Sequence, residues 1–384
     1  MINAIYLDSS TAARPSRALV DVMSPFFLQR WGMTTSPHQP SQELIPYIRE
    51  ALGNIYDLLG ASEDDDFVFT SSGIEAVNHL VSSVYYDGIC VTSKNHFLFG
   101  AMDEVSGFDA ARRLEEFGCV ATIVPASDSG MITPEAVQES ITPRTALLSL
   151  SWANGLTGVI NPVNDIAAIC RERGVLFHLD ATHILGKLDF DLKDIGVDFV
   201  TFNGSQLHGP VGTGGLLIRY GRPLRPLILG GDEQGGLRAG DVNVPYLVGL
   251  GHAAKEAIEK RDFLGTEVAR WRNALERSLL FEIPDAVTFF ADQERLPHCS
   301  AIAFPGVASE AMLYALSRAG VFANFSGKMN ANLRACGVKE SLAQCAVSFS
   351  MSRDNSEDDV HRVVDVISDV VRRFRRTSEQ LYEI

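Results

Sequence analysis

Between Phe67 and Ile218 short apolar runs alternate with longer amphipathic stretches: FVFT then GIEAVNHLVSSVYY; ICVT; CVATIV then TPEAVQESI; ALLSLS then VNDIAAICRERG; VLFHLD; DFVTF; GGLLI. Apolar runs of four to six residues separated by helix-length segments predict a mainly parallel sheet with helices on both faces. In such sheets ligands bind beyond the carboxyl ends of the strands. Polar clusters follow two of the runs, Asp180 with His183 and Asn203-Gly204-Ser205-Gln206.

Past Pro245 the pattern lengthens. Helices are expected over Tyr246 to Lys260 and Gly265 to Leu280, strands near Val287 to Phe290, Ser300 to Phe304 and Ala346 to Ser350, and a helix from Ser309. The last helix opens on Glu357-Asp358-Asp359 and closes on Arg372-Arg373-Phe374-Arg375-Arg376, as a helix dipole favours. The expected division is a large α/β domain over 15–255 and a smaller α+β domain formed by 1–14 and 256–384.

Composition narrows the partners. A formal charge of −15 over 384 residues argues against nucleic acid or an anionic membrane as partner. With no basic n-region leading into an apolar stretch, and no apolar run of membrane-spanning length, the chain is read as cytoplasmic. The 6 scattered cysteines form no CxxC pair and are expected to be buried, reduced thiols.

Several blocks together carry a resemblance: IYLDSSTAARPS, SPHQPSQE, FTSSGIEAVN, TSKNHFLFGAM, SWANGLTGVINPV, ICRERGVLFHLDATHILGK, QLHGPVGTGG and LILGGDEQGGLRAGDVNVPYLVGLG. In order and spacing the chain resembles the cysteine desulfurases, the NifS-like branch of the class V aminotransferases. The resemblance implies the pyridoxal phosphate (PLP) fold type I, which is aspartate-aminotransferase-like, α/β, with a large mainly parallel-sheet domain and a smaller α+β C-terminal domain. It also implies a homodimer completed by the GGDEQGGLRAG loop with Arg238.

The resemblance assigns Asp180 to the pyridine nitrogen, His96 to the face of the ring and Asn154 to the ring hydroxyl. Gly73 falls in the family's phosphate loop, and His183 stands where glutamine is usual. Elsewhere the family's residues are replaced. Its Schiff-base lysine corresponds to Gln206, whose amide cannot form an imine. Its phosphate contacts correspond to Ile74, Asn203, Ser205 and Asp241, and its carboxylate-binding arginine to Ser348. A carboxylate such as Asp241 about 4 Å from a phosphate would cost roughly 4 kcal/mol. The loop of the nucleophilic cysteine carries Gly327-Lys328; Lys328 is expected on the surface, the alternative being that it swings into the pocket as a substitute amine, and Cys336 is expected in the core.

From these replacements the expectation is a desulfurase-like protein without bound cofactor or desulfurase activity, a binding or regulatory pseudoenzyme. Its expected partners are a second copy, another protein, or an active paralogue in a heterodimer. Two alternatives stand beside it. One is an enzyme of altered chemistry using His96, Asn154, Asp180, His183, Gln206 and Asp241, with His183 as base. The other is desulfurase or aminotransferase-like sulfur transfer with PLP held non-covalently.

Overall fold

The computed structural model describes residues 4–325 and 327–382, with the side chains of 88–90, 327 and 378–382 outside the description. Twelve strands follow in chain order: β1 (Ile5–Tyr6), β2 (Asp66–Thr70), β3 (His96–Gly100), β4 (Val120–Val124), β5 (Thr145–Ser151), β6 (Leu176–Asp180), β7 (Phe199–Asn203), β8 (Gly214–Ile218), β9 (Val287–Thr288), β10 (Cys299–Ala303), β11 (Val321–Phe322) and β12 (Ala346–Ser350). Seven of them form one sheet in the order β2-β8-β7-β6-β5-β3-β4. Only β8 runs against its neighbours, so the carboxyl ends of the other six share one edge.

The middle of this sheet is covered on both faces, so all positions of β3 and β5 are buried. That burial corrects one expected strand. The backbone of Cys90–Thr92, within the ICVT run, is helical, and the strand is instead HFLFG. An unbroken apolar run suits an inner parallel strand whose two faces are both packed. His96 therefore begins its strand, and the residues delivered at its carboxyl end are Asp103 and Glu104.

A second core gathers around β12-β10-β9 and the β1-β11 pair, with Ile5 and Leu7 from the N-terminus beside Trp271, Ile302, Phe349 and Val363. The helix Val244–Phe263 passes through a π turn at Leu264–Val268 into Ala269–Glu282 and connects the two cores. Among the described residues no helix is long and apolar enough to cross a membrane, and no His/Cys/Asp/Glu group could hold a metal ion. Cys119, Cys170, Cys299, Cys336 and Cys345 are buried; the side chain of Cys90 lies outside the described residues.

Helix Val244–Phe263 lies against helix Ile45–Leu59 at very short range. A Cβ built on Gly251 would stand 2.4 Å from Ala51 Cα and 2.8 Å from its carbonyl oxygen. Helix propensity alone would make Gly251→Ala stabilising by about 1 kcal/mol. Backbone atoms cannot yield as a side chain would, so we expect a net loss of about 1–3 kcal/mol instead. Chemical denaturation checks the sign, and a more stable variant would show that the two helices can separate freely.

Candidate functional site

The loops after β2, β3, β5, β6 and β7 converge on a cavity of about 420 Å³. Its wall includes Gly73 and Ile74 after β2, Glu104 after β3, Gly155 after β5, Thr182 and His183 after β6, and Asn203 and Gln206 after β7. Ser10 and Thr11 close it from the N-terminal segment, and Asn324 and Lys328 from the second core. A wider groove of about 590 Å³ opens at the other end of the strands. Arg219–Asp65 and Arg222–Asp198 pairs already occupy charges there.

Asp180 lies on the cavity floor. One carboxylate oxygen accepts the Thr182 amide at 2.9 Å, and among the described residues it has no ion pair. Burial raises its pKa and outweighs its hydrogen bonds to Thr182; Glu104 adds to the rise and Lys328 opposes it. A desolvated carboxylate in this state is relieved by a cationic or hydrogen-bond-donating ligand. Beneath it Asp103 accepts the amides of Gly100 and Ser151, and desolvation pushes it up to about 7.

His183 is half-buried, with its Nδ1 enclosed and unpartnered, and desolvation followed by the nearby Lys187 charge lowers it to about 3. Its imidazole is thus neutral at physiological pH. Gly155 makes room for the ring, since a Cβ there would fall 2.3 Å from His183 Cε1.

At the amino end of helix Gly73–Val84, Ser72 Oγ accepts the Glu75 amide. The amides of Gly73 and Ile74 have no acceptor within the helix, and both residues line the cavity, so this end presents donors to an anion. Glu75 partly opposes that, because its carboxylate accepts the Ser71 amide and pairs with Arg238 at 3.0 Å. Ile74 contributes only its backbone, its side chain being exposed.

Other sequence-predicted residues take different places. His96 is buried at the far end of β3, its ring nitrogens 2.9 Å from Thr145 Oγ1 and 2.9 Å from Thr122 Oγ1. The strand shift therefore removes it from the cavity, where Glu104 stands instead. Asn154 lies just behind the wall: its Oδ1 accepts the Leu156 and Thr157 amides and its amide donates to Met102 O, which shapes the turn carrying Gly155. Asp241 is exposed and outside this chain's cavity. Ser205 Oγ donates to Gln206 Oε1, and Ser348 Oγ donates to Leu156 O. Gln206 is held in turn, its Nε2 donating to Thr11 O at 2.8 Å and to Ser10 O at 3.4 Å. Cys336 packs against Met102, and burial raises its thiol to about 11.

Two lysines stand closer to the site than expected, Lys328 having been placed on the surface and Lys187 not having been singled out. Lys328 lines the cavity and pairs with Glu104 at 2.5 Å. Lys187 is buried behind Gln206, its Nζ 3.5 Å from the carbonyls of Leu185 and Gln206. No periodicity in the sequence marks either one, and Lys328 reaches the site through a pairing with Glu104 that is distant in sequence.

Residues 5–363 match the aminotransferase class-V family. A cysteine desulfurase of Gluconacetobacter diazotrophicus is 34% identical, covering 98% of this chain and 96% of its own length. One of Bradyrhizobium diazoefficiens is 35% identical, covering 97% and 96%. The solved structure of a NifS-like protein superposes with a TM-score of 0.90 at 26% identity, covering 96% of this chain and 99% of that one. These full-length relatives overturn three expectations of the sequence analysis: the regulatory pseudoenzyme, the absence of enzymatic activity and the absence of a cofactor. Those expectations gave individual replacements more weight than a match maintained along nearly the whole chain.

Burial lowers Lys187 from 10.5 to about 8, so holding its charge costs about 3 kcal/mol below that pH. Between 8 and 10.5 the unfolded chain keeps a proton that the folded chain has released, and stability from this group rises with pH. Lys187→Met is expected to stabilise the protein by about 1–3 kcal/mol at neutral pH, with the gain fading toward 10.5. Guanidinium unfolding at a series of pH values checks this, and a pH-independent difference would mean that the lysine charge is fully compensated.

Proposed function

This chain belongs to the aminotransferase class-V family, and from that premise we propose that it is a pyridoxal-phosphate-dependent enzyme of the cysteine desulfurase type, with its cofactor held non-covalently at position 206. The observation that carries this reading is Asp180, a half-buried, desolvated carboxylate without an ion pair among the described residues, on the floor of a cavity whose rim holds a helix amino terminus.

The donor set fits the cofactor. Asp180 would face a protonated pyridine nitrogen, whose positive charge offsets the desolvation of the carboxylate. The Gly73 and Ile74 amides, with the Asn203 carboxamide, would take the phosphate, and a cavity of about 420 Å³ lies within the usual range for such ligands. When bound, pyridoxal phosphate supplies an electron sink for negative charge at the substrate Cα. His183, neutral and with a free ring nitrogen, can orient a ligand by hydrogen bonding or move a proton. Gln206 fastens the N-terminal segment over the site and helps exclude water.

Asp180→Asn is expected to weaken pyridoxal phosphate binding by roughly 10- to 100-fold, measured by equilibrium dialysis and by the visible absorbance of the bound cofactor. The unaltered protein with added cofactor, and with dithiothreitol as sulfur acceptor and two-electron reductant, is expected to yield alanine and sulfide from L-cysteine. Failure to retain cofactor, or retention without turnover of cysteine, sinks the reading.

We also propose a homodimer. Phe27 packs on Tyr246 with Gly212 beside it, and Phe27, Leu28, Trp31 and Val211 are exposed apolar side chains in that region, as a self-association surface requires. Light scattering at micromolar concentration is expected to give twice the chain mass, and a monomer would count against the proposal.

A further inference from the structure

Among the described residues that line the cavity, Lys328 is the only lysine or arginine. It stands with Asn324, whose amide donates to Asp8 Oδ1 at 2.9 Å and Thr11 Oγ1 at 2.6 Å and so secures the wall beside it. The side chain of Lys328 is 21% exposed while that of its partner Glu104 is 60% exposed. The amine thus faces inward and the carboxylate approaches from the rim. Lys328 lines the same cavity as Asp180 and His183.

We propose that Lys328 anchors the α-carboxylate of an amino acid substrate, and that Glu104 occupies the place of that carboxylate until the substrate displaces it. The inference rests on the amino acid chemistry proposed above and names the group that confers carboxylate specificity. Ser348 offers no competing clamp, because its hydroxyl is turned to Leu156 O at 2.7 Å. An ammonium provides three rotatable donors rather than a planar fork, so it can pass from one carboxylate to another without rearranging the wall. Half-exposed ion pairs contribute little stability, so Glu104 is readily displaced. Once released, it can turn outward into solvent.

The test compares S-methyl-L-cysteine, whose thioether blocks sulfur transfer, with its decarboxylated counterpart S-methylcysteamine, by calorimetry on full-length protein saturated with pyridoxal phosphate. Lys328→Met is expected to weaken S-methyl-L-cysteine binding roughly 10- to 100-fold and to leave the amine unchanged. Glu104→Gln, which keeps the shape and removes the competing charge, is expected to tighten the amino acid roughly 2- to 5-fold. Equal effects on both ligands, or no effect of either variant, would overturn the assignment of Lys328 while sulfide release from L-cysteine left the proposed activity standing. A protein that took up no cofactor and bound neither ligand would overturn both.

Discussion

The site depends on a sheet that water does not reach. With both faces of β3 and β5 packed, strand interiors admit polar groups only when they are fully hydrogen-bonded, as His178 is between Ser149 and Thr201. Charged groups are driven to the strand ends, and because six strands point the same way, their terminal loops meet at one edge. Asp180 is the extreme member of that set. It is deep enough to be desolvated, yet placed where a ligand can answer its charge.

Around that carboxylate the residues divide into those that shape the cavity and those that face it. Asn154, Ser205 and Ser348 have side-chain hydrogen bonds to neighbouring protein atoms and act as framework. Asn203, His183, Glu104 and Lys328 face the cavity. Gln206 belongs to both groups, since it lines the wall while its amide grips the N-terminal segment. A glutamine in that place gives the protein a mechanical tie between two segments.

Alternating apolar runs were sufficient to read the parallel sheet, because an inner strand is chosen by burial that its own sequence advertises. The same logic misplaced one strand: ICVT and HFLFG are both apolar, and only packing between β4 and β5 decides between them. That error of a few residues moved His96 from one end of the sheet to the other and concealed Glu104. Asp180 and His183 were legible because they directly follow a clear strand. Lys328 was not, since its place at the cavity depends on the second core docking against the first, which no local pattern encodes. Reading Gln206, Ile74 and Ser348 as replacements misdirected the inference about activity, which the full-length relatives corrected.

The N-terminal strap ties the cavity to the last strand as well as to Gln206. The amides of Ser9 and Ser10 bond to Ser350 O and Ser350 Oγ, and the amide of Ser350 returns to Leu7 O. During synthesis the first residues must therefore wait for some 340 others before they find their partners. Contacts of such sequence separation form late. The nascent chain can build its large sheet while still on the ribosome, but the cavity closes only after β12 has been released. Any ligand that needs the complete wall is thus captured after translation, and an interrupted chain ending before β12 would leave the ribosome with the floor of the site assembled and its cover unfastened.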